Sequence, residues 1–160
     1  MELTLTDVKP RESTVSEIYE RQIDTVYKIC FSYLKSTADA EDAAAEVFLK
    51  LIEKTKIFSD FEHEKAFLIR CAINICKNII KSPKRKNEDI ADYPNISTEI
   101  KEDSGVEYAI SQLPQKYQTV VYLHYYEGYK GEEISKILKK PHSTIRNWLS
   151  EARKMLKDIM

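Results

Sequence analysis

The chain has 160 residues, a formal net charge of −1 and a hydrophobic content of 42%. This length holds one domain or two small ones, and the hydrophobic content is sufficient for a folded core. Only three glycines are present, which argues against a glycine-rich phosphate loop and against a turn-dense all-β fold.

Acidic and basic residues are segregated along the chain. Residues 1–82 carry 12 basic and 14 acidic side chains, residues 83–105 carry 4 and 6, and residues 106–160 carry 9 and 6. The net charge of −1 therefore averages unlike segments, and the C-terminal third is the basic part of the chain.

The three cysteines, Cys30, Cys71 and Cys76, show no metal-ligand spacing, and their odd number argues against a disulfide framework. Each lies within an apolar helical pattern, so we expect small core residues in a reducing compartment. No stretch approaches the roughly 18 consecutive apolar residues of a membrane span, and the polar N-terminus does not resemble a secretion signal. We therefore expect a cytoplasmic protein with no direct membrane insertion, no metal and no cofactor.

The N-terminal part of the chain predicts one loose segment and one helix. Residues 1–13 are polar and aperiodic, and we interpret them as an N-terminal extension. A helix follows, with Ser13 or Thr14 as its cap and Glu17 in its first turn. An apolar stripe at helical spacing carries this helix to about residue 35.

The second helix has the most regular apolar pattern, and its predicted cap is Thr37 or Asp39. Its outer face is acidic, which on physical grounds alone is explained by solvation. The apolar positions predicted to face inward are Ala40, Ala43, Ala44, Val47, Phe48, Leu51 and Ile52, and the outward acids are Glu41, Asp42, Glu46 and Glu53.

A loop at residues 57–62 precedes a third helix, predicted from about His63 to Lys81. Its core stripe consists of Leu68, Cys71, Ala72, Ile75, Cys76 and Ile79. A second stripe aligns two amides and three cations, which suits base edges and phosphates, although a solvated face explains it equally well. This stripe contains Arg70, Asn74, Lys77, Asn78 and Lys81.

Residues 83–105 predict a polar linker, because they lack a sustained period and follow a change in composition. We therefore place one domain at residues 14–82 and another at residues 106–160. The second domain begins with two predicted helices, at 106–113 and 115–127. Pro114 ends the first of them, and Gly128 ends the second. The residues expected to face inward on the second of these are Tyr117, Val120, Val121 and either His124 or Tyr125.

The last residues predict a helix-turn-helix with a basic second helix. A helix over 131–138 is interrupted at 139–142, and a new helix begins at Ser143 with Ile145, Leu149, Ala152, Leu156 and Ile159 facing inward. From Lys136 to Lys157 there are seven basic residues and one acid. Arginine can bind guanine and asparagine can bind adenine in the major groove, although a solvated basic face is the alternative. The candidate DNA-contacting residues are His142, Ser143, Thr144, Arg146, Asn147, Ser150, Arg153 and Lys154.

These elements predict an all-α protein with two small helical domains, a helical bundle and a C-terminal helix-turn-helix domain, joined by a polar linker. No motif typical of a catalytic centre is present: His63-Glu64 lacks the second histidine of a zinc protease, and neither G-x-S-x-G nor a phosphate loop occurs. We therefore expect no catalytic residues and a function in binding.

Two separate parts of the chain resemble the bacterial extracytoplasmic-function (ECF) sigma factors of RNA polymerase. Residues 39–51 (DAEDAAAEVFLKL) resemble region 2.2 of that family, and residues 67–74 (FLIRCAIN) resemble its following W-L-x-x-I-A-x-N segment. The segments occur in the family's order, with a linker of ordinary length between them. Those that resemble region 4 are residues 113–117, 126–129, 133–138 and 143–156.

The resemblance implies a sigma factor that binds core RNA polymerase and directs promoter-specific transcription initiation. Its region 2 domain would contact the β′ clamp through Asp39, Glu41, Asp42, Glu46 and Phe48. The loop 57–66 and the third helix would open and read the promoter −10 element through Phe58, Phe61, Arg70, Asn74, Lys77, Asn78 and Lys81. Phe58 and Phe61 are the candidates for holding an extruded base.

The resemblance also implies that region 4 reads the −35 element through the basic second helix of the helix-turn-helix, and touches the β flap. Promoter DNA and an anti-sigma protein are the further partners that it implies. Some residues differ from those usual in the family. We therefore expect promoter specificity to be the family property that carries over least to this chain. The departures are Ala45, Ile52, Phe67 and Ile73 in region 2, and Lys139, Trp148 and Glu151 in region 4.

Two other functions fit an all-α chain with a basic helix-turn-helix. A stand-alone helix-turn-helix transcriptional regulator, whose N-terminal bundle only dimerises, would bind a palindrome and have no affinity for polymerase. A helical protein-interaction adaptor would show no salt-dependent binding of nucleic acid. The acidic second helix and the amide-bearing third helix favour the sigma factor, because a simple dimeric regulator needs neither.

Overall fold

The computed structural model describes residues 14–54, 58–82 and 105–159. Within these ranges the regular elements are helical and no strand occurs, which confirms the predicted all-α class. The α-helices are α1 (Val15–Leu34), α2 (Thr37–Lys54), α3 (Phe61–Lys81), α4 (Gly105–Ser111), α5 (Gln115–Val121), α6 (Gly131–Leu138) and α7 (His142–Ile159).

The chain divides into two compact units, with the division after Glu88. The first unit contains α1, α2 and α3, which all pack against one another. The second contains α4 to α7. The predicted N-terminal extension, residues 1–13, and the predicted linker up to residue 104 lie outside the described residues, so the domain limits given above stay a prediction.

Helix α1 begins with the predicted cap at Thr14. The Thr14 side chain accepts a hydrogen bond from the Glu17 backbone N–H at 3.1 Å, and the Thr14 backbone N–H donates to Glu17 Oε1 at 2.8 Å. The bond from the Thr14 N–H to the carboxylate, together with one from the Thr14 hydroxyl at 3.2 Å, holds the pKa of the Glu17 carboxyl below its usual value. The reciprocal pair is the capping box that the spacing predicts.

Helix α2 differs from its prediction at both ends. Ser36 is the cap, because its side chain accepts a hydrogen bond from the Asp39 N–H at 3.2 Å, so the assignment to Thr37 or Asp39 is wrong. The apolar stripe is buried from Ala40 to Leu51, but Ile52 is 52% exposed. Successive residues turn by about 100°, which puts Ile52 at the outer edge of the stripe.

Helix α3 begins at Phe61, two residues before the prediction, because the Asp60 side chain accepts a hydrogen bond from the His63 N–H at 2.7 Å. Its buried face is wider than predicted and includes Ile69 and Ile73, since α3 packs on both α1 and α2. Of the predicted stripe, Leu68, Ala72, Ile75 and Cys76 are buried, and Cys71 and Ile79 are half-buried.

Two cysteines lie in the core of the first unit, as predicted. Cys30 and Cys76 are fully buried, and Cys71 is half-buried. Hydrogen bonding with the Cys30 thiol, together with burial, raises the pKa of the Cys76 thiol. The free, protonated thiol therefore behaves as a small core side chain.

The core of the second unit contains residues from both its first helices and its last helix. Leu113, Val121 and Ala152 form a buried cluster, which Ile110, Tyr117 and Leu156 partly cover. The buried amide of Gln118 donates to the Leu113 carbonyl at 2.7 Å and so satisfies the backbone at the turn before α5. Ile159, which was predicted to face inward, is exposed in the last turn of α7.

A π-helical turn, Tyr122–Tyr126, continues α5 and is absent from the sequence prediction. The Glu127 N–H donates to the Tyr122 carbonyl, five residues back, at 3.1 Å. Within this turn Leu123 is fully buried, His124 is half-buried and Tyr125 is 53% exposed. Placing Tyr125 inward is therefore wrong. Gly128 ends the segment at a φ of +78°, as predicted.

The helix-turn-helix has the predicted order. Helix α6 has the predicted limits, 131–138, and Lys139 adopts left-handed backbone with a φ of 57°. The Pro141 carbonyl then accepts the Ile145 N–H at 3.2 Å, and α7 begins at His142, one residue before the prediction. The turn is close, since a Cβ at Gly131 would lie 3.0 Å from Nε2 of His142.

Candidate nucleic-acid interface

Helix α7 presents the predicted polar residues to solvent. Ile145, Leu149 and Ala152 are buried and fix one side of the helix against the second unit. Seven of the eight candidate residues are exposed, and Thr144 is half-buried. The exposed candidates are His142, Ser143, Arg146, Asn147, Ser150, Arg153 and Lys154.

Two neighbouring helical segments modify this face. The Arg153 Nε–H donates to the hydroxyl of Tyr125 at 2.7 Å, so the π-turn contacts α7. On another side of α7, the Lys116 ammonium lies 5.4 Å from the centre of the Trp148 ring. Lys116 therefore brings a cation close to the Trp148 side of α7.

An acid also lies on α7. Glu151 accepts a salt bridge from Lys154 at 3.3 Å, and both side chains are accessible to solvent. The pair neutralises one of the cations that the sequence offers for phosphate contacts. The sequence analysis named neither Tyr125 nor Lys116 as a residue of this face. The π-turn and the packing between helices, which bring them to α7, leave no local pattern in the sequence.

The first unit carries the predicted amide-and-cation face on α3. Asn74, Lys77, Asn78 and Lys81 are exposed, and Arg70 is half-buried. The spacing of these residues along one helix keeps them on the same side. The structure therefore presents cations and amides together, as a contact with phosphates and base edges requires.

The aromatic residues before and within α3 have different surroundings. Phe58 is only 2% exposed, and its ring lies 5.3 Å from both the His63 and the Phe67 rings. The prediction that Phe58 holds an extruded base is therefore wrong for this structure, since a buried ring offers no face to a base. Phe61 is half-buried, and the guanidinium carbon of Arg21 lies 4.5 Å from its ring centre. Residues 61–66 are also helical and do not form the expected loop.

A buried carboxylate supports this part of α3. Glu64 is fully buried, and its oxygens accept hydrogen bonds from Arg21 at 3.0 and 2.8 Å and from Gln22 at 2.9 Å. Glu64 precedes Leu68, Ala72 and Ile75 at helical spacing, so the core stripe itself contained the signal that it would be buried.

The acidic face of α2 is exposed as expected at Glu41, Asp42, Glu46 and Glu53, and Asp39 is half-buried. Phe48 is 5% exposed and lies edge-on to Tyr19, with ring centres 5.0 Å apart. The structure therefore exposes most of the carboxylates to solvent and keeps Phe48 in the packing between α1 and α2.

Two further properties concern the described residues alone. No group of three or more histidine, cysteine or acidic side chains there could hold a metal ion. None of the described helices combines the length and the apolar character needed to cross a membrane.

Comparison with known proteins identifies the two units. Residues 18–86 match the family described as Sigma-70 region 2, and residues 105–156 match Sigma-70, region 4. RNA polymerase sigma factor SigV of Bacillus subtilis is 27% identical over 135 residues, which cover 82% of this chain and 81% of SigV. ECF RNA polymerase sigma factor SigW of the same organism is 25% identical over 168 residues, which cover 93% of this chain and 90% of SigW.

This chain belongs to the ECF sigma factors. As a sigma factor it binds core RNA polymerase and directs promoter-specific transcription initiation. The stand-alone regulator is not favoured, because both sigma regions match in order. Members of the family are transcription initiation factors.

A solved structure shares the fold of this sigma factor. The sigma factor RpoE from Bartonella quintana, in its co-crystal structure with the anti-sigma factor NepR, gives a TM-score of 0.62. The alignment covers 90% of this chain and 94% of RpoE, at 17% sequence identity.

Proposed function

We propose that the sigma factor divides its work among three exposed surfaces: α2 binds core polymerase, α3 opens and reads the −10 element, and α7 reads the −35 element. The observation that carries the proposal is that α2 and α3 expose faces of opposite chemistry from one shared core. A dimerisation bundle would need neither face.

The polymerase-binding surface of α2 consists of Asp39, Glu41, Asp42 and Glu46. Their carboxylates complement a basic partner. The resemblance to ECF sigma factors implies that this partner is the β′ clamp of core polymerase. Because Phe48 is buried, it supports this surface from within by holding α2 against α1.

The −10 surface consists of the exposed α3 residues Asn74, Lys77, Asn78 and Lys81, with Arg70 beside them. The cations would hold the backbone while the amides read bases. Phe61 is the remaining aromatic candidate for stacking on an extruded base, and Arg21 fixes its ring from α1.

The −35 surface is the exposed side of α7. Arg146 and Asn147 lie in its first two turns, where a recognition helix meets base edges, and we assign them base reading. His142, Ser143, Thr144, Ser150, Arg153 and Lys154 would position the helix on the backbone. The same unit would touch the β flap.

We further propose that the protein is a non-catalytic, cytoplasmic subunit that needs no cofactor and is held inactive by an anti-sigma protein. The support for such a partner is a sigma factor of similar fold that was solved with one. Co-purification of the tagged chain from its own cells would reveal it. If the tagged chain co-purifies with core polymerase alone, in both resting and stressed cells, this part of the proposal is contradicted.

The division of labour is tested by two double variants in transcription with purified core polymerase on fragmented genomic DNA. Arg146→Ala with Asn147→Ala should reduce starts that depend on the −35 element and leave polymerase binding intact. Asp42→Lys with Glu46→Lys should abolish co-elution with core polymerase. The matched control is Glu20→Lys with Asp24→Lys on α1, which makes the same charge change on exposed residues of the same unit.

The two double variants must behave differently for the proposal to stand. If both lose polymerase binding equally, or if the control loses it as well, the assignment of α2 is wrong. If the wild-type protein yields no new starts sharing two upstream motifs at fixed spacing, the assignment of promoter elements fails as a whole.

A further inference from the structure

The recognition helix shares an exposed polar pair with the π-turn. The Tyr125 hydroxyl lies 2.7 Å from Arg153 Nε, and the Arg153 guanidinium carbon lies 5.9 Å from the Tyr125 ring centre. Both side chains are exposed, so the pair faces solvent on the edge of the helix-turn-helix.

Tyr125 belongs to the π-turn. Within this turn Leu123 is buried in the core and Tyr125 lies at the surface, where its hydroxyl reaches α7. Such turns inside helices are frequent at functional sites. A π-turn whose exposed tyrosine contacts α7 therefore points to a role in binding.

The chemistry of the pair suits an anion. A tyrosine hydroxyl has one proton to donate, and the bond from Arg153 uses only its acceptor side. That bond also uses only one of the guanidinium's five N–H donors. One positive charge and donors from two side chains therefore lie together, which is the combination that binds phosphate oxygens.

The position of the pair on α7 favours DNA backbone over a free anion. Arg146, Ser150 and Arg153 follow one another at helical spacing, and all are exposed. Arg146 lies at the base-reading end, so Arg153 lies two turns further along the same edge. A side chain there meets the groove wall, where phosphates line the duplex.

We propose that Tyr125 and Arg153 bind one backbone phosphate next to the −35 element, a contact that rests on the proposed role of α7. The Tyr125 hydroxyl donates to a phosphate oxygen, and Arg153 supplies the charge. The hydrogen bond between them holds both groups in position before DNA arrives. The π-turn is thus a second DNA-contacting element beside the recognition helix.

The test measures promoter affinity of holoenzyme, assembled from core polymerase and full-length variants, over a series of salt concentrations. The probe is a promoter fragment whose start the wild-type holoenzyme has defined. Tyr125→Phe keeps the ring and removes only the hydroxyl, and should weaken binding by about threefold to tenfold. Arg153→Gln should weaken binding and lower the salt slope by about one. The control is Tyr108→Phe, an exposed tyrosine on α4.

The double variant separates a direct contact from mere positioning. If Tyr125 touches the phosphate, Tyr125→Phe with Arg153→Gln binds more weakly than Arg153→Gln alone. Equal binding by these two would mean that Tyr125 acts only through Arg153 and would overturn the proposal, as would equal binding by Tyr125→Phe and Tyr108→Phe. Failure of the wild-type holoenzyme to select any promoter would instead refute the proposed function.

Discussion

Arg21 of α1 and Glu64 of α3 form a two-point ion pair, with Nε to Oε2 at 3.0 Å and Nη2 to Oε1 at 2.8 Å. The carboxylate is fully buried, while 30% of the Arg21 side chain is exposed. Hydrogen bonding to Glu64 raises the pKa of the Arg21 guanidinium, so its charge is retained. The pair therefore ties α1 to the first turn of α3, directly beside Phe61.

Breaking this pair should destabilise the first unit. Arg21→Met removes the guanidinium and leaves a buried carboxylate, so the free energy of unfolding of that unit should fall by about 3 kcal/mol. Urea unfolding of the full chain, followed by far-UV circular dichroism, measures the change. The sole tryptophan, Trp148, belongs to the second unit, so its fluorescence follows the transition of that unit beside the circular dichroism signal of the whole chain.

A second variant separates loss of the pair from loss of packing. Arg21→Met, Gln22→Leu and Glu64→Leu together replace both charges, and the buried Gln22 amide that also donates to Glu64, by apolar groups and should recover most of the lost stability. If Arg21→Met unfolds at the wild-type urea concentration, or if the triple variant is less stable than Arg21→Met alone, the ion pair does not stabilise the unit in the way described.

The acid on the recognition helix should weaken promoter binding. Glu151→Gln removes a negative charge and releases Lys154 from its salt bridge, so holoenzyme should bind promoter DNA severalfold more tightly, with a steeper dependence on salt. Asp158→Asn is the matched control, because it makes the same charge change in the last turn of α7. Equal affinities for Glu151→Gln and wild type would show that Lys154 contributes no phosphate contact.

The sequence predicted most of the helices because their apolar residues recur at helical spacing. The spacing of Thr14 and Glu17 predicted the start of α1 correctly, and α6 has the predicted limits. Local pattern was sufficient here, since capping and amphipathicity depend on residues within one or two turns.

What the sequence could not predict depends on contacts between elements. The helical spacing placed His124 or Tyr125 inward, but within the π-turn Leu123 is the fully buried residue and Tyr125 is exposed. Phe58 follows no helical period, and only its packing on His63 and Phe67 reveals that it is buried. Arg153 could be assigned to DNA from its type, but its partner Tyr125 lies 28 residues away.

The turn of the helix-turn-helix contains a residue under backbone strain that can be tested directly. Lys139 has a φ of 57°, a left-handed conformation that costs a residue with a Cβ about 1 kcal/mol. Lys139→Gly should keep the turn and leave the second unit as stable as wild type or slightly more so, because relief of strain offsets the greater freedom of glycine when unfolded. Lys139→Val should destabilise the unit by about 1 kcal/mol or more, because a β-branched side chain tolerates this conformation least.

Lys140→Gly is the matched control, because Lys140 is the exposed neighbour of Lys139 and does not adopt a positive φ. Glycine there adds freedom to the unfolded chain without relieving strain, so it should lower stability while Lys139→Gly does not. The unfolding midpoint from Trp148 fluorescence reports the second unit and so compares the three variants. If Lys139→Gly and Lys140→Gly destabilise equally, the left-handed conformation of Lys139 carries no strain and the turn tolerates lysine without cost.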